Sequence, residues 1–533
     1  MGLHIGTKVI YPWCPDYLKN ILQVSSGVRA MEKKKSICLG FEVHQPFRLR
    51  NDYFWSKRMY KRGLRAEDLF SYYFDDRANR EIFAKVARKC YQPTNELLLR
   101  LLDEHAEFKV AFSVTGVFIE QCEAYGYEEL VEDFRALAAT GRAEFLDQTY
   151  FHSLVGLYDE EGEFIEQIRL HRELMRDRIG VMPTFFENTE LLYNNRIAKL
   201  VEDLGYAGIM AEGVARVLDG RSPNYVYAPV GCKKLKVLLR HYQLTDDIGF
   251  RFSSKGWEEH PLTASKYAAW LKATPGQCIT LFMDYETFGE HHWEDTGIFS
   301  FLKDFPRQVL ACGLDFATPS EIVTQYPAAD VIDVRNLETT SWADLERDTS
   351  CFIGNTMQWA CFDYLRWLEP LVKESRDAAL VKLWRYLGIS DHLYYMFTHG
   401  GASGDVHNYF SYFERPYDAF ITLFSVIHDF DARLHATIHR GEYPLLLPDG
   451  RAIWSLKGLS DYLSELSRED AESLLEVYLK PGELERWVRT SVGDEELANE
   501  LRDVRLSMDQ QDYDRLVLQE RLRACLCTVL PRE

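Results

Sequence analysis

The sequence predicts an α/β protein built on a mostly parallel sheet or barrel, and three observations carry that expectation. From residue 36 to about 322, short apolar runs alternate with longer amphipathic runs, the pattern of strands separated by helices. The clearest apolar run, 278–283, holds no charge and is rich in β-branched and bulky side chains, as a strand buried on both faces must be. Directly after it come three carboxylates and two imidazoles, Asp284, Glu286, Glu290, His291 and His292. The carboxyl ends of parallel strands carry active-site loops in barrels and open sheets alike, so Asp284 is a candidate catalyst.

Taken in order, the strand candidates are 37–43, 108–114, 143–146, 184–186, 207–210, 237–241, 278–283 and 315–317, each a short apolar run. Between them, 128–139 reads as a helix closed by Gly141, a C-cap residue. Leu192, Ala198, Val201 and Leu204 keep helical spacing up to Gly205, with Asn188 as N-cap and Glu190 in the first turn. Beyond residue 330 the strand signal fades, and 363–387, 418–439, 460–479 and the charged stretch 482–530 read as helical. Pro444, Pro448 and Gly450 break the pattern near 440–455. The expected organisation is a poorly structured extension (1–30), an α/β catalytic domain (31–325), a helical domain (326–445) and a C-terminal helical module (446–533).

A chain of 533 residues is long enough for two to four units around a large core. The net charge of −20, from 62 basic and 82 acidic residues, argues against nucleic-acid or anionic-membrane partners, which need a basic surface. Aromatic residues make up 14% of the chain and offer flat faces for sugar rings as well as core filling. Eleven scattered cysteines without a CxxC pair predict a reducing, cytoplasmic setting. No apolar run approaches the roughly 18 residues of a membrane span. The sequence gives no oligomeric state.

Candidate chemistry lies in five ordered stretches: His44-Gln45-Pro46, the segment GRAEFL around Glu144, Glu187-Asn188-Thr189-Glu190, the Asp284 stretch, and WADLERDTSCFIGN from Trp342 to Asn355. Each residue also has a structural reading. His44 fits a core histidine, Glu190 an N-terminal helix acid, Asp284 a loop cap, Asp348 a surface charge, and Trp293, Trp342 and Trp359 core packing. Glu144 is the lone charge of a short apolar strand, so either a sugar hydroxyl or a buried arginine must offset its burial. Glu286, two residues after Asp284, points to the same side of an extended backbone. His291 and His292 lack HExxH spacing and, as strand neighbours, face opposite ways, so no metal site is expected. The run from Gly400 to His407, GGASGDVH, lacks the lysine and preceding strand of a P-loop; it reads as a cleft loop packed by Tyr409, Phe410, Tyr412 and Phe413.

Together and in this order, the five stretches resemble the five sequence regions of glycoside hydrolase family 57, especially its α-amylase-like branch, over about residues 36–420. The resemblance implies an incomplete (β/α)7 barrel followed by a helical region that closes the cleft, no cofactor, and an α-glucan or maltooligosaccharide substrate. It implies Glu190 as nucleophile and Asp284 as general acid/base of a retaining α-1,4-glucan hydrolase, with His44, Gln45, Glu144, Glu286, His291, Trp342 and Asp348 binding substrate. Cys351-Phe352 departs from the family, where tryptophan often stands nearby. Two carboxylates about 5 to 5.5 Å apart suit that chemistry, because the charge of the first keeps a proton on the second. The alternatives are a 4-α-glucanotransferase using the same pair, a metal-dependent carbohydrate deacetylase and a catalytically silent glycan-binding protein.

Overall fold

A computed structural model describes residues 34–56, 64–398, 411–447, 450–465, 467, 477–479 and 481–508. The expected 1–30 extension, the Gly400–His407 loop with Tyr409 and Phe410, and everything past residue 508 lie outside the described residues. The fold is mixed α/β with a mostly parallel sheet and many helices.

The strands of the large sheet are β1 (Ser36–Val43), β2 (Val110–Val114), β3 (Ala143–Leu146), β4 (Phe185–Glu187), β5 (Gly208–Glu212), β6 (Tyr227–Pro229), β7 (Lys236–Arg240), β8 (Cys278–Asp284), β9 (Asp315–Phe316) and β10 (Asp330–Ile332). Parallel pairings run from β1 to β2 to β3. A parallel bridge between Asp147 and Phe186 leads on to β4. From there β4 pairs with β5, β5 with β7, β7 with β8 and β8 with β1, so the pairings return to their start. β9 joins β1, and β6 meets β7 antiparallel while holding β10 parallel.

All eight strand expectations have a counterpart within a few residues, because fully buried strands leave near-continuous apolar runs. β6 and β10 escape detection: each is three residues long, and one of them holds Pro229. The strand signal that fades beyond 330 misses a pair at 440–455, where β11 (Arg440–Leu446) and β12 (Ala452–Ser455) form an antiparallel hairpin. Pro444, which breaks the helical pattern, lies within β11, and Gly450 stands between the two strands in a left-handed conformation (φ 88°). The expected 363–387 helix is two, Thr356–Ser375 and Ala378–Leu387, parted at Arg376 in a left-handed conformation (φ 54°).

Two apolar layers flank the sheet. One face carries Cys38, Ala111, Leu146, Phe185, Met210, Leu238 and Phe282, closed off by Ile322 and Val323 of the helix Pro319–Gln325. The other packs Ile37, Leu39, Phe41 and Val43 against the surrounding helices. Gly40 is required on β1: a Cβ there would stand 2.7 Å from the Phe282 ring of the paired strand. A third cluster, including Leu456, Leu459, Leu484, Trp487 and Leu501, sits in the C-terminal part of the chain. Among the described residues no helix is long and apolar enough to cross a membrane.

Candidate active site

Register places the polar residues at the carboxyl end of the strands. Glu42 pairs with both Ser113 and Asp284, and Glu212 pairs with Arg240, so an ionisable layer crowns the apolar one. Above it opens a cavity of about 480 Å³ lined by Glu42, His44, Gln45, His152, Glu190 and Arg240 together with Asp284, Glu286, His291, Trp342 and Asp391. That volume is in the range of small-molecule sites. Seven of the nine residues expected to act thus share one cavity, although Glu190 and Asp284 are distant in sequence.

Glu190 does not sit in a helical first turn. It occupies a single 3-10 turn, Thr189–Leu191, at φ 58° and ψ 25°, and Asn188 caps nothing; its amide donates to Leu192 O at 3.0 Å. A non-glycine residue pays to hold this left-handed conformation, and such outliers collect at functional sites. The turn aims the carboxylate at three groups. Trp342 Nε1 donates to Oε2 at 2.7 Å, Ser390 Oγ donates to Oε1 at 3.2 Å, and His152 Nε2 lies 3.4 Å from Oε1.

Asp284 ends β8 facing the same cavity. Burial first, and then the charge of Glu190, push its carboxyl up to about 7, against the opposing pull of Arg240 and His152. Glu286 is pushed up to about 8 by burial and by Asp284; Tyr91 donates its hydroxyl to it. Glu290, the third carboxylate after the β8 run, turns to Lys85, 2.5 Å from its ammonium. Gly289 makes the intervening turn possible, since φ is 114° and a Cβ would fall 1.9 Å from Lys89 O.

The two neighbouring histidines divide. His291 lines the cavity, and burial holds it neutral, with its titration pulled down to about 3. His292 is a structural residue, 2.8 Å from Ser253 Oγ and 3.0 Å from Gly249 O. His44 places Nδ1 3.0 Å from Thr115 Oγ1 and Nε2 3.0 Å from Asp391 Oδ2. Burial and the neighbouring His152 pull it down to about 4. Gln45 reaches the cavity edge and accepts from Arg48 at 3.1 Å.

Two expected sugar contacts are placed elsewhere. Glu144 shares a face of β3 with Leu146 but stands one level nearer the amino end, opposite Ala111. Its burial is offset by Ser320 in place of the expected arginine: it accepts from Ser320 N at 2.9 Å and from the Ser320 hydroxyl, at the start of the closing helix. Asp348 is not among the cavity-lining residues and accepts from Ser350 N at 2.8 Å, a local turn contact. Trp359 and Trp293 are also off the cavity, both exposed, with Lys89 over the Trp293 ring.

Glu42, Arg240, His152 and Asp391 also line the cavity and are not among the residues the sequence singles out. Glu42 is the single charge of the strand SICLGFEV, the same signal that drew attention to Glu144. Arg240 ends β7, donates to Glu212 at 2.8 Å, Asp246 at 2.7 Å and Phe282 O at 2.6 Å, and lies over the Trp342 ring. His152 and Asp391 carry no local signature; tertiary folding brings them in.

Comparison with known proteins gives the family. The model for glycosyl hydrolase family 57 matches residues 38–335. A protein of Methanocaldococcus jannaschii described as "Putative alpha-amylase" is 44% identical over 418 residues, covering 76% of this chain and 86% of that one. Among solved structures, a 4-alpha-glucanotransferase from Thermococcus litoralis superposes with a TM-score of 0.54 at 15% identity, over 79% of this chain but only 63% of that one. A GH57 branching enzyme from Thermococcus kodakaraensis gives 0.54 at 14% identity, over 83% and 94% of the two chains. At such identities the structures speak for the fold alone. With the family model spanning more than half of its length and a relative this similar, the chain belongs to glycosyl hydrolase family 57.

Proposed function

We propose that this chain is a retaining hydrolase of α-1,4-glucans, of the α-amylase type, working with Glu190 as nucleophile and Asp284 as acid/base. The single observation that carries the reading is that both carboxyls line one cavity while the charge of Glu190 helps keep the proton of Asp284. Glu190 attacks the anomeric carbon as Asp284 gives its proton to the departing glycosidic oxygen. A water then donates its proton to the Asp284 carboxylate and attacks the same carbon, releasing Glu190 and restoring the original anomeric configuration. The pairing cycle of seven strands is read as an incomplete (β/α)7 barrel. The region 326–445 is read as the part that completes the cleft, since Trp342, Asp391, Tyr394 and Tyr395 come from it. The 446–533 segment is read as a separate module on the strength of its own apolar cluster.

Incubation with maltoheptaose followed by chromatography of the products tests the reading. Wild type is expected to give only shorter sugars, and Glu190→Gln and Asp284→Asn to give none while still binding glucan. A ladder extending above the starting length would instead mean that a sugar hydroxyl replaces water as acceptor. Full activity in Glu190→Gln removes the mechanism.

A further inference from the structure

Directly beneath the Glu190 carboxylate lies a buried polar chain that the double displacement does not use. Gln148 Nε2 donates to Glu42 Oε1 at 3.0 Å and to Ser113 Oγ at 2.7 Å, and Ser113 Oγ donates to Glu187 Oε2 at 2.9 Å. Glu42 Oε2 receives no donor from any of these groups, although Glu42 is only 3% exposed. The second carboxyl, Glu187, raises the proton affinity of Glu42 by its charge and by a side-chain hydrogen bond, so a protonated Glu42 satisfies the buried pair. Burial first pushes both Glu42 and Glu187 upward, with the charge of Glu187 adding to the effect at Glu42 and that of Glu190 at Glu187, so the pair keeps a proton through neutral pH.

His152 joins this pair to the nucleophile. Its Nδ1 stands 3.7 Å from Glu42 Oε1 and 3.3 Å from Gln148 Oε1, while Nε2 faces Glu190. The two residues are also locked together through the backbone. Ser390 N donates to His152 O at 2.9 Å while its hydroxyl donates to Glu190, and Thr149 and Thr189 pair their hydroxyls at 2.5 Å. His152, like Glu190, holds a left-handed conformation, at φ 50°. Strain on both sides of one contact marks a geometry that the surroundings enforce.

Resting on the assignment of Glu190 as nucleophile, we propose that His152 is a positioning residue. It is an imidazolium wedged between the Glu42–Glu187 carboxyl pair and Glu190, which fixes the attacking carboxylate and sets the pH range over which Asp284 keeps its proton. Every charged group facing His152 fits this role. Burial opposes its charge, but Glu190, Glu42 and Asp391 outweigh burial and hold the imidazole up at about 9. The stacked His44 ring, 4.1 Å away, stays neutral and adds no competing cation.

Glutamine at position 152 keeps an N–H donor but loses the charge. His152→Gln is therefore expected to lower kcat/KM by about 100-fold through misplacement of the nucleophile. It is also expected to move the basic limb of the pH profile upward by about one unit, since removing a nearby cation favours the protonated form of Asp284. Glu42→Gln, which leaves the imidazole in place but removes its buried support, is expected to lower the His152 titration seen by NMR of labelled histidines and to shift the limb the same way. Limbs identical to wild type in both variants overturn the inference; should His152→Gln not fold, the Glu42→Gln limb and titration decide it alone. Failure of the underlying assignment looks different, because Glu190→Gln would then retain activity.

Discussion

The indole N–H of Trp342 donates to Oε2 of Glu190 at 2.7 Å, a contact between residues 152 positions apart. The Trp342 backbone N–H also donates to the Glu190 carbonyl, and its ring packs on Phe282 of β8. One residue thus holds the left-handed turn from both the side chain and the main chain. Trp342→Phe keeps the ring and removes the donor. A hydrogen bond to a charged group is worth about 1.5 to 3 kcal/mol. Loss of kcat/KM by roughly 10- to 100-fold is expected, with little change in thermal stability. Steady-state kinetics with maltoheptaose checks it; unchanged kcat/KM would show that Ser390 and His152 hold the carboxylate unaided.

A basic limb in the pH profile follows from Asp284. Its carboxyl is held up at about 7, so in the proposed mechanism the proton for the leaving oxygen is present below that pH and lost above it. The free-enzyme profile, kcat/KM against pH, should fall about tenfold per unit on the alkaline side of neutrality. A fall already complete by pH 5 would mean that Asp284 titrates as an ordinary carboxyl and is not the acid.

Burial raises the two acids, and carboxylate neighbours raise His152, which makes stability depend on pH. Glu187 and Glu286 are held up at about 8, above an ordinary value of 4.5, and His152 at about 9 against 6.5. Between pH 7 and 8 the native protein therefore binds more protons than the unfolded chain, and its stability decreases as pH rises. Each group contributes a slope approaching about 1.4 kcal/mol per pH unit. Urea unfolding over this window should show the decline, flattened in Glu187→Gln; a rise would contradict the assignment of these buried acids.

Glu144 supplies a contrast with the cavity acids. Because it accepts from Ser320 N and from the Ser320 hydroxyl, away from the cavity, Glu144→Gln should leave KM within about twofold and lower stability by about 1 kcal/mol. A large rise in KM with unchanged stability would return it to the substrate.

Glu144 also shows where a sequence stops being readable. Strand burial writes itself into composition, which is why 143–146 could be read to the residue. A lone acid in such a strand announces only that it needs a partner, and Glu42 and Glu144 look alike. The level each occupies along the sheet decides between cavity and helix start, and level depends on register between strands far apart in sequence. The turn at Glu190 departs from its local signal for a similar reason. Asn188 followed by apolar spacing is a sound local helix signal, but Trp342, Ser390 and His152 impose another conformation from outside the segment. Asp391 and His152 could not be selected at all, since nothing next to them in the chain distinguishes them.

In the proposed mechanism Arg240 joins stability to catalysis, and its removal should affect both in separable ways. The guanidinium is 4% exposed and satisfies Glu212 and Asp246 together with the Phe282 carbonyl. Arg240→Met would leave Glu212, itself fully buried, as a charge without its cation, which costs about 3 to 5 kcal/mol. Arg240 also pulls the Asp284 proton toward release, so without it the basic limb should move upward. Adding Glu212→Gln removes the stranded charge and should recover most of the lost stability without returning the limb to its original position. Urea unfolding and pH profiles of the single and double variants separate the effects. If the second substitution restored both, Arg240 would act on Asp284 only by keeping β7 and β8 in place, and its charge would have no direct part in the chemistry.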